Sequence, residues 1–348
     1  MAQFHSLKIK SILRQTDKAV SITFEVPTAL NADFAFTAGQ YITLKTVIDA
    51  KEIRRDYSLS SSPQSESLTV TVKEIENGVF SSYANTQLKT GDTLEVGTPN
   101  GRFIYDPKTD ASNTIVAFAA GSGITPIMSI ARTVLETDSN FVLIYGNKSP
   151  KETIFYDEIL KLQILHSNRF MVLFIYSETD EKDALFGRID SGNVQYLLKN
   201  NIAVNNSQKF YLCGPEGMIN TVNGILTEKG VEASKVLFEL FTASEVKSTS
   251  TSTNEGDSNI TILVDEEETT LVMSQKQTIL DAALANDLDV PYSCQGGVCS
   301  SCICRVTEGA ATMRQNNILT DNEVAEGLVL SCQAEPTSTS INVDFDDI

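Results

Sequence analysis

Four cysteines near the C-terminus constrain the fold of this chain more than any other feature. Cys294, Cys299 and Cys302 form a C-x4-C-x2-C arrangement, and Cys332 follows after 29 further residues. Three thiolates on one tight loop, with a fourth from a distant segment, are able to surround two irons with two ligands for each. The chain must therefore bring two distant segments together around one inorganic centre.

The residues between these cysteines fit a cluster of this kind. The spacing is typical of plant-type [2Fe–2S] proteins. Gln295, Gly296 and Gly297 let the chain wrap closely, so that backbone N–H groups point at the sulfurs. Structural zinc usually takes two C-x2–4-C pairs, whereas here the fourth cysteine stands alone, and zinc is the less favoured alternative. Cys304 lies outside the ligand pattern and is predicted to be structural.

Length and charge limit the remaining possibilities. A chain of 348 residues predicts two or three domains. A formal charge of −18 argues against nucleic-acid binding, and the part from Asn259 onward holds 15 acidic but 3 basic residues. No window of 18 apolar residues and no export signal are present, so we expect a soluble, cytoplasmic protein with reduced cysteines and no membrane contact.

The hydrophobic period changes twice along the chain and predicts the domains. Residues 1–107 alternate with a period of two and predict an antiparallel β-barrel, with strands at 20–26, 41–47, 68–72, 93–96 and 102–105. Residues 108–242 predict an α/β domain with a parallel sheet, with strands at 114–120, 141–145, 170–176 and 210–213, and helices at 124–135, 152–164, 191–198 and 216–226. Residues 243–258 are rich in Ser and Thr and predict a flexible linker before a small domain at 259–348.

Two motifs of the α/β domain lie where a predicted strand turns into a helix. The first is Gly121-Ser122-Gly123-Ile124-Thr125-Pro126, and the second is Cys213-Gly214-Pro215-Glu216-Gly217-Met218. A glycine turn at a helix N-terminus admits a pyrophosphate, although a single G-x-G turn is also common for steric reasons. Because ligands of open parallel sheets lie at the carboxyl ends of strands, the pair predicts a dinucleotide site.

Two motifs of the predicted barrel suit a flavin. The first consists of Arg55, Asp56, Tyr57 and Ser58, in which Arg offers a bidentate grip on phosphate and Tyr a flat face for a ring. The second is a glycine turn that enters a short helix, formed by Gly78, Val79, Phe80, Ser81 and Ser82. Taken singly, R-x-Y-S also occurs by chance in barrels, and the order of all the motifs carries the interpretation.

That order resembles the ferredoxin–NADP reductase superfamily with a C-terminal plant-type ferredoxin domain. It is most similar to oxygenase reductase components, among them that of phenylacetyl-CoA epoxidase. The resemblance implies FAD in the barrel, NAD(P)H on the α/β domain and a β-grasp fold around the cluster. It also implies one-electron delivery to an oxygenase component or another acceptor protein.

The resemblance further implies roles for individual residues. Ser58, Cys213 and Glu239 would form the catalytic set, and Cys294, Cys299, Cys302 and Cys332 would bind the metal. The flavin would be held by Arg55, Asp56, Tyr57, Ser58, Val72, the segment from Gly78 to Ser82, and Phe241. The nicotinamide nucleotide would be held by Gly121, Gly123, Thr125, Pro126, Lys148, Cys213, Gly214, Pro215 and Met218.

Several alternatives stay open at this stage. Relatives that bind NADP often carry Arg where this chain has Lys148. Because lysine still pairs with phosphate as a point charge, although without the bidentate fork, NADPH is the expected donor and NADH remains possible. FMN in place of FAD is not excluded by any residue. The acceptor is an oxygenase, a desaturase or a free electron carrier. From a different functional class, a non-enzymatic binding protein with a four-cysteine zinc module also remains.

Overall fold

The computed structural model describes residues 4–110, 114–200, 202, 208–241 and 256–347. The described residues form two compact units, 4–241 and 256–347, which are described separately. No helix within the described ranges is long and apolar enough to cross a bilayer.

The first part of the larger unit is an antiparallel β-barrel. Its elements are β1 (Phe4–Thr16), β2 (Ala19–Glu25), β3 (Tyr41–Ile48), β4 (Lys51–Ser58), β5 (Leu68–Lys73), α1 (Val79–Thr86) and β6 (Thr93–Gly97). The strands pair in the order β4-β3-β6-β1-β2-β5, and a bridge between Leu59 and Val70 joins the two edges. Alternation along β5 buries Leu68, Val70 and Val72 inside, as the period of two predicts.

The second part of the larger unit is an α/β layer with a six-stranded sheet. Its elements are β7 (Thr114–Ala120), α2 (Ile124–Leu135), β8 (Asn140–Asn147), α3 (Tyr156–Leu165), β9 (Phe170–Tyr176), β10 (Ala184–Phe186), α4 (Ser191–Asn200), β11 (Gln208–Cys213), α5 (Glu216–Glu228) and β12 (Val236–Glu239). All neighbours are parallel, in the order β10-β9-β8-β7-β11-β12. Because the order reverses between β7 and β11, a crevice forms at their carboxyl ends.

Two predicted elements are wrong in detail. The segment 102–105 is not a strand, because its apolar side chains pack between the barrel and the sheet. The ring centroids of Phe103 and Tyr211 lie 5.3 Å apart, and the Tyr211 hydroxyl donates to the Ile104 carbonyl. The helix predicted over 152–164 begins at Tyr156, because Phe155 adopts a left-handed backbone with φ 62° and interrupts it. The short strands β10 and β12 were not predicted.

The smaller unit has a mixed five-stranded sheet with a helix packed into its core. Its elements are β13 (Asp257–Val264), β14 (Glu267–Ser274), α6 (Ile279–Ala285), β15 (Ile303–Glu308), β16 (Ala311–Met313), α7 (Asp321–Ala325), β17 (Leu328–Leu330), β18 (Ala334–Pro336) and β19 (Ser340–Asp344). The order is β14-β13-β19-β15-β17, with β13 and β19 parallel, and β16 pairs with β18. This is the expected β-grasp arrangement. Most of the predicted linker, 243–255, lies outside the described residues, and β13 already begins at Asp257.

Candidate cofactor sites

A polar contact joins the end of a barrel strand to the end of a strand of the α/β sheet. Ser58 ends β4, Glu239 ends β12, and the Ser58 hydroxyl donates to a carboxylate oxygen of Glu239 at 3.2 Å. These residues are 181 positions apart in the chain. The structure thus brings together two of the three predicted catalytic residues, one from each sheet.

Cys213 lies beside this pair. It ends β11 in register with Glu239 of β12, and its side chain is fully buried. Burial raises the pKa of the Cys213 thiol well above its ordinary value, and the charge of Glu239 acts in the same direction. Burial also raises the pKa of Glu239 to about 8, although the hydrogen bond from Ser58 lowers it. At neutral pH the site therefore holds a neutral thiol and a carboxyl group that is mostly protonated.

The two predicted nucleotide motifs touch each other. A Cβ added at Gly123 would overlap the carbonyl oxygen of Cys213, and one added at Gly214 would come within 2.8 Å of Met218. Only residues without a side chain permit this close approach of α2 to the end of β11. Helix α2 begins without a side-chain cap, and the Ile124 N–H donates to the carbonyls of Gly121 and Ser122. The positive end of the helix dipole beside this turn suits an anion.

A cleft of about 450 Å³ opens beside these motifs. It is lined by Gly121, Pro215 and Met218 from the two motifs and carries three cationic side chains, Lys73, Lys148 and Arg188. Lys148 is exposed and forms an ion pair of 3.2 Å with Glu178. The cations suit a ligand with several phosphates, and the glycine turn lies beside them.

Sequence reasoning missed two of these cations. Lys73 ends β5 of the barrel, yet its Nζ lies 3.6 Å from the position of a Cβ added at Gly121 in the α/β part. Burial lowers its pKa, an effect that Glu152 opposes and Lys148 adds to. Arg188 follows β10, and because that short strand was not predicted, nothing indicated that its carboxyl end reaches the cleft. The only signal that the sequence offers for Lys73 and Arg188 is a positive charge at or just after the end of a strand.

The R-x-Y-S residues of β4 place a cation and an aromatic ring on one strand. Arg55 is exposed; its guanidinium donates to the Arg54 carbonyl at 2.6 Å, and no carboxylate of the described residues pairs with it. The ring of Tyr57 lies 5.4 Å from that of Phe80. Asp56 accepts a hydrogen bond of 2.6 Å from Thr43. An exposed guanidinium on the same strand as a tyrosine ring fits a phosphorylated flavin.

Helix α1 begins at the glycine turn that is predicted to hold a second anion of the flavin. Its N-cap is Gly78, it has no side-chain cap, and Asn77 before it has a φ of 60°. The Ser81 hydroxyl accepts from Ile75 N at 3.2 Å and donates to the Gly78 carbonyl, which fixes the turn. Ser82 donates to Glu74. The predicted glycine turn into a short helix is therefore present.

Other predicted contact residues are buried in the protein core. Val72 and Phe80 lie in the barrel core, and Thr125 and Pro126 lie in the buried face of α2. The Thr125 hydroxyl donates to the Ser122 carbonyl at 3.1 Å and holds the glycine turn. The structure therefore does not place these side chains at a surface that a ligand could contact directly. Phe241, by contrast, is 37% exposed.

The cysteine loop and the fourth cysteine meet in the smaller unit. The sulfurs of Cys302 and Cys332 lie 3.3 Å apart, and Cys294 is close enough to influence both electrostatically. The Gly296 N–H donates to the Cys294 sulfur at 3.3 Å. The hydrogen bond with Cys302 lowers the pKa of the Cys332 thiol below its ordinary value, and hydrogen bonds from the Gly297 backbone and Gln333 act in the same direction. Burial and the charge of Cys294 oppose this shift. Within the described residues, no three metal-binding side chains surround a single point.

Unsatisfied polar atoms next to these cysteines fit a sulfide-rich centre. The hydroxyls of Ser293 and Ser331 are buried, adjoin Cys294 and Cys332 in sequence, and have no hydrogen-bond partner among the described residues. The same holds for the Asn317 side-chain nitrogen. Buried donors without a partner are costly, and the sulfurs of a bound cluster would accept from them. Cys304 is fully buried in the core, as its structural interpretation predicts.

Three family models match the chain in succession. A model described as an oxidoreductase FAD-binding domain matches residues 7–105, and an oxidoreductase NAD-binding domain matches residues 118–224. A 2Fe-2S iron-sulfur cluster binding domain matches residues 262–337. The predicted succession of flavin, nicotinamide and iron–sulfur domains is confirmed, with FAD as the flavin.

The chain matches known proteins over nearly its whole length. The chain is 38% identical over 352 residues to one of the subunits of 1,2-phenylacetyl-CoA epoxidase from Escherichia coli (strain K12), covering 99% of both chains. It is 31% identical to the ferredoxin reductase component of 3-ketosteroid-9-alpha-monooxygenase from Rhodococcus rhodochrous, covering 97% of this chain and 96% of that one. The structure of phthalate dioxygenase reductase matches with a TM-score of 0.64 at 24% identity, covering 98% of each chain.

Proposed function

Because the chain belongs to the family of FAD- and [2Fe–2S]-containing oxygenase reductases that includes this component of 1,2-phenylacetyl-CoA epoxidase, we propose that it carries electrons from NAD(P)H to an oxygenase component. Hydride would pass to FAD, and single electrons would leave through the cluster. The resemblance inferred from the order of the motifs is confirmed by these relatives.

One observation supports this function above the others. The hydrogen bond from Ser58 to Glu239 places the end of a flavin-domain strand against the end of a nucleotide-domain strand. The Cys213 motif and the glycine turn adjoin that contact. A nicotinamide and a flavin ring held by these two strand ends would share one wall, and hydride transfer requires such proximity.

The chain itself supplies binding, orientation and electrostatics. When bound, FAD accepts a hydride and releases its electrons singly, which a [2Fe–2S] cluster carries one at a time. Arg55 and the N-terminus of α1 would hold the flavin phosphates, and Tyr57 would face the ring. Lys73 and the N-terminus of α2 would hold the nicotinamide nucleotide. Ser58 would keep the Glu239 carboxyl oriented toward the shared wall.

We propose NADPH as the preferred donor, with NADH accepted less well. Lys148 and Arg188 place two cations at the rim of the cleft, where an additional phosphate would be attracted. Glu178 acts against this preference, because its carboxylate already pairs with Lys148. A lysine offers a point charge without the bidentate fork of arginine, so we expect a moderate preference.

The partner is proposed from the relatives and from charge. The most similar relatives described above serve an epoxidase acting on an acyl-CoA and a steroid monooxygenase, and the higher identity favours the first. The part from Asn259 onward carries 15 acidic and 3 basic residues, which suits a basic docking face and predicts association that slows as salt rises. We place the protein in the cytoplasm, where its cysteines stay reduced.

An anaerobic absorbance spectrum of the purified protein tests this proposal. Flavin and iron–sulfur bands should be present and should both bleach on addition of NADPH, and more slowly on addition of NADH. A colourless protein that binds zinc and does not respond to either nucleotide would contradict the proposal. Capture of the acceptor from the native host with the full-length chain would then distinguish an epoxidase from another oxygenase.

A further inference from the structure

One side chain links the last cysteine to the cysteine loop. Gln333 follows Cys332 and is 9% exposed. Its Nε2 lies 3.0 Å from the Gln295 carbonyl oxygen and 3.7 Å from the Cys332 sulfur. A carboxamide has two N–H donors, so it can serve both acceptors at once.

The backbone on either side holds this amide in place. The Gln333 N–H donates to the Leu330 carbonyl at 2.8 Å, and the Gln333 carbonyl accepts from Arg314 N at 2.9 Å. Arg314 is itself paired with Glu335. Because both backbone groups are occupied, the side chain leaves from a fixed point and has little freedom in its direction.

Gly297 completes the arrangement from the other side. Its φ is +68°, and a Cβ added there would lie 3.0 Å from Cγ of Gln333. A residue with a Cβ at this position would displace the Gln333 side chain, so the loop can pass this closely because residue 297 is a glycine. This close approach is a second contact between the two cysteine-bearing segments, independent of the cysteines.

We propose that Gln333 is a positioning residue for the cluster, which clamps the loop through the Gln295 carbonyl and donates an N–H to the Cys332 sulfur. The inference rests on the proposed iron–sulfur function. Reduction adds one negative charge to a cluster, and donors to its sulfurs stabilise that charge. Gln333 thus biases the cluster toward accepting the electron while keeping the ligand loop closed.

Gln333→Met tests the proposal, because methionine keeps the length and bulk of the side chain but has no donor. Gln275→Met is a matched control. Gln275 is 7% exposed, and its Nε2 donates to Ser258 and to the Ser338 carbonyl within the same domain, without contact to a cysteine. Both variants lose a buried amide, so an effect on general stability alone would appear in both.

The first readout is the midpoint potential of the cluster in the full-length holoprotein. We expect Gln333→Met to lower the equilibrium constant for reduction about tenfold, a shift of about 59 mV for one electron. The line shape of the reduced cluster's paramagnetic resonance spectrum should change as well. Gln275→Met should leave both unchanged. Equal potentials in wild type and Gln333→Met would overturn the donation to sulfur.

The second readout does not need the cluster. In the full-length chain freed of iron, the half-buried Cys294 should be alkylated several-fold faster in Gln333→Met than in wild type or Gln275→Met. Equal alkylation rates would overturn the clamp. This readout applies even if Gln333→Met fails to assemble a cluster. A wild-type chain that retains neither iron nor sulfide would instead refute the proposed function, and the alkylation rates would still report on the clamp.

Discussion

The larger unit and the smaller unit build their sites in opposite ways. In the smaller unit, three of the four cysteines lie within nine residues of one loop, and one distant residue completes the set. In the larger unit, the proposed hydride site includes Ser58 and Glu239, which come from different sheets and meet through a hydrogen bond. A compact ligand set tolerates changes elsewhere, whereas a site at the junction of two sheets depends on every contact that holds them.

The sharpest test of this contrast removes one ligand. Cys299→Ser should abolish the iron–sulfur absorbance while NADPH still reduces the flavin, because no residue of the hydride site is altered. Cys304→Ala is the matched control, since Cys304 is buried near the ligands but lies outside their pattern; it should keep the cluster. Loss of flavin reduction in Cys299→Ser would show that the two sites are not independent.

The next largest effect is expected at the glycine turn. In Gly123→Ala the new methyl group would overlap the Cys213 carbonyl, so the turn must shift from the geometry that is predicted to bind the nucleotide. Holding the methyl group in the original geometry would cost ~3 kcal/mol or less of folding free energy, the usual range for overpacking in a core. We expect about 100-fold weaker NADPH binding, since 1.4 kcal/mol corresponds to a factor of ten. Calorimetric titration with NADPH measures it.

Gly224→Ala serves as the control for that substitution. Nothing lies within 4 Å of a Cβ at this position of α5, so alanine should raise helix stability by ~1 kcal/mol and leave NADPH affinity unchanged. Unchanged affinity in Gly123→Ala would mean that the turn does not bind the nucleotide.

A smaller effect is expected at the junction carboxyl. Glu239→Gln keeps an acceptor for Ser58 but removes the titrating group. Above the pKa of about 8, where the wild-type carboxyl is ionised, we expect hydride transfer to slow about tenfold in the variant, the order of a hydrogen bond that involves a charged group. Stopped-flow absorbance of the flavin at saturating NADPH measures the rate. Equal rates in wild type and Glu239→Gln from about pH 6 to about pH 9 would show that Glu239 takes no part in hydride transfer.

The same substitution gives a pH test with a defined sign. The pKa of Glu239 rises from 4.5 to about 8 on folding, so the native state binds more protons than the unfolded state between these values. The free energy of unfolding should therefore fall as pH rises through this range, by at most ~1.4 kcal/mol per pH unit. Denaturant titrations should show this slope in wild type and a flatter one in Glu239→Gln.

The smallest effect is expected at the exposed rim of the cleft. Lys148→Glu should raise KM for NADPH about fivefold and KM for NADH little, because an exposed charge contributes ~1 kcal/mol or less. Steady-state flavin-dependent reduction of an artificial acceptor measures both constants. Equal changes for the two nucleotides would show that Lys148 does not discriminate between them.

The contrast also explains what the sequence could predict. Three of the four predicted cluster ligands are close in sequence, so the spacing of the cysteines alone indicated the centre. The two glycine turns were predicted because strand, turn and helix are local. Lys73 and Arg188 were not, because their approach to the cleft depends on how the barrel meets the sheet and on the unpredicted strand β10. Gln333 gave no signal, since its role arises from a contact with Gln295, 38 residues away.

The order of electron flow is the central claim, and rapid mixing of NADPH with flavin-depleted and flavin-replete protein tests it most directly. The cluster bands should bleach in the replete protein, after the flavin, and should remain unchanged in the depleted protein until FAD is restored. Bleaching of the cluster at the same rate without flavin would contradict the account, because electrons would then bypass the junction formed by Ser58 and Glu239.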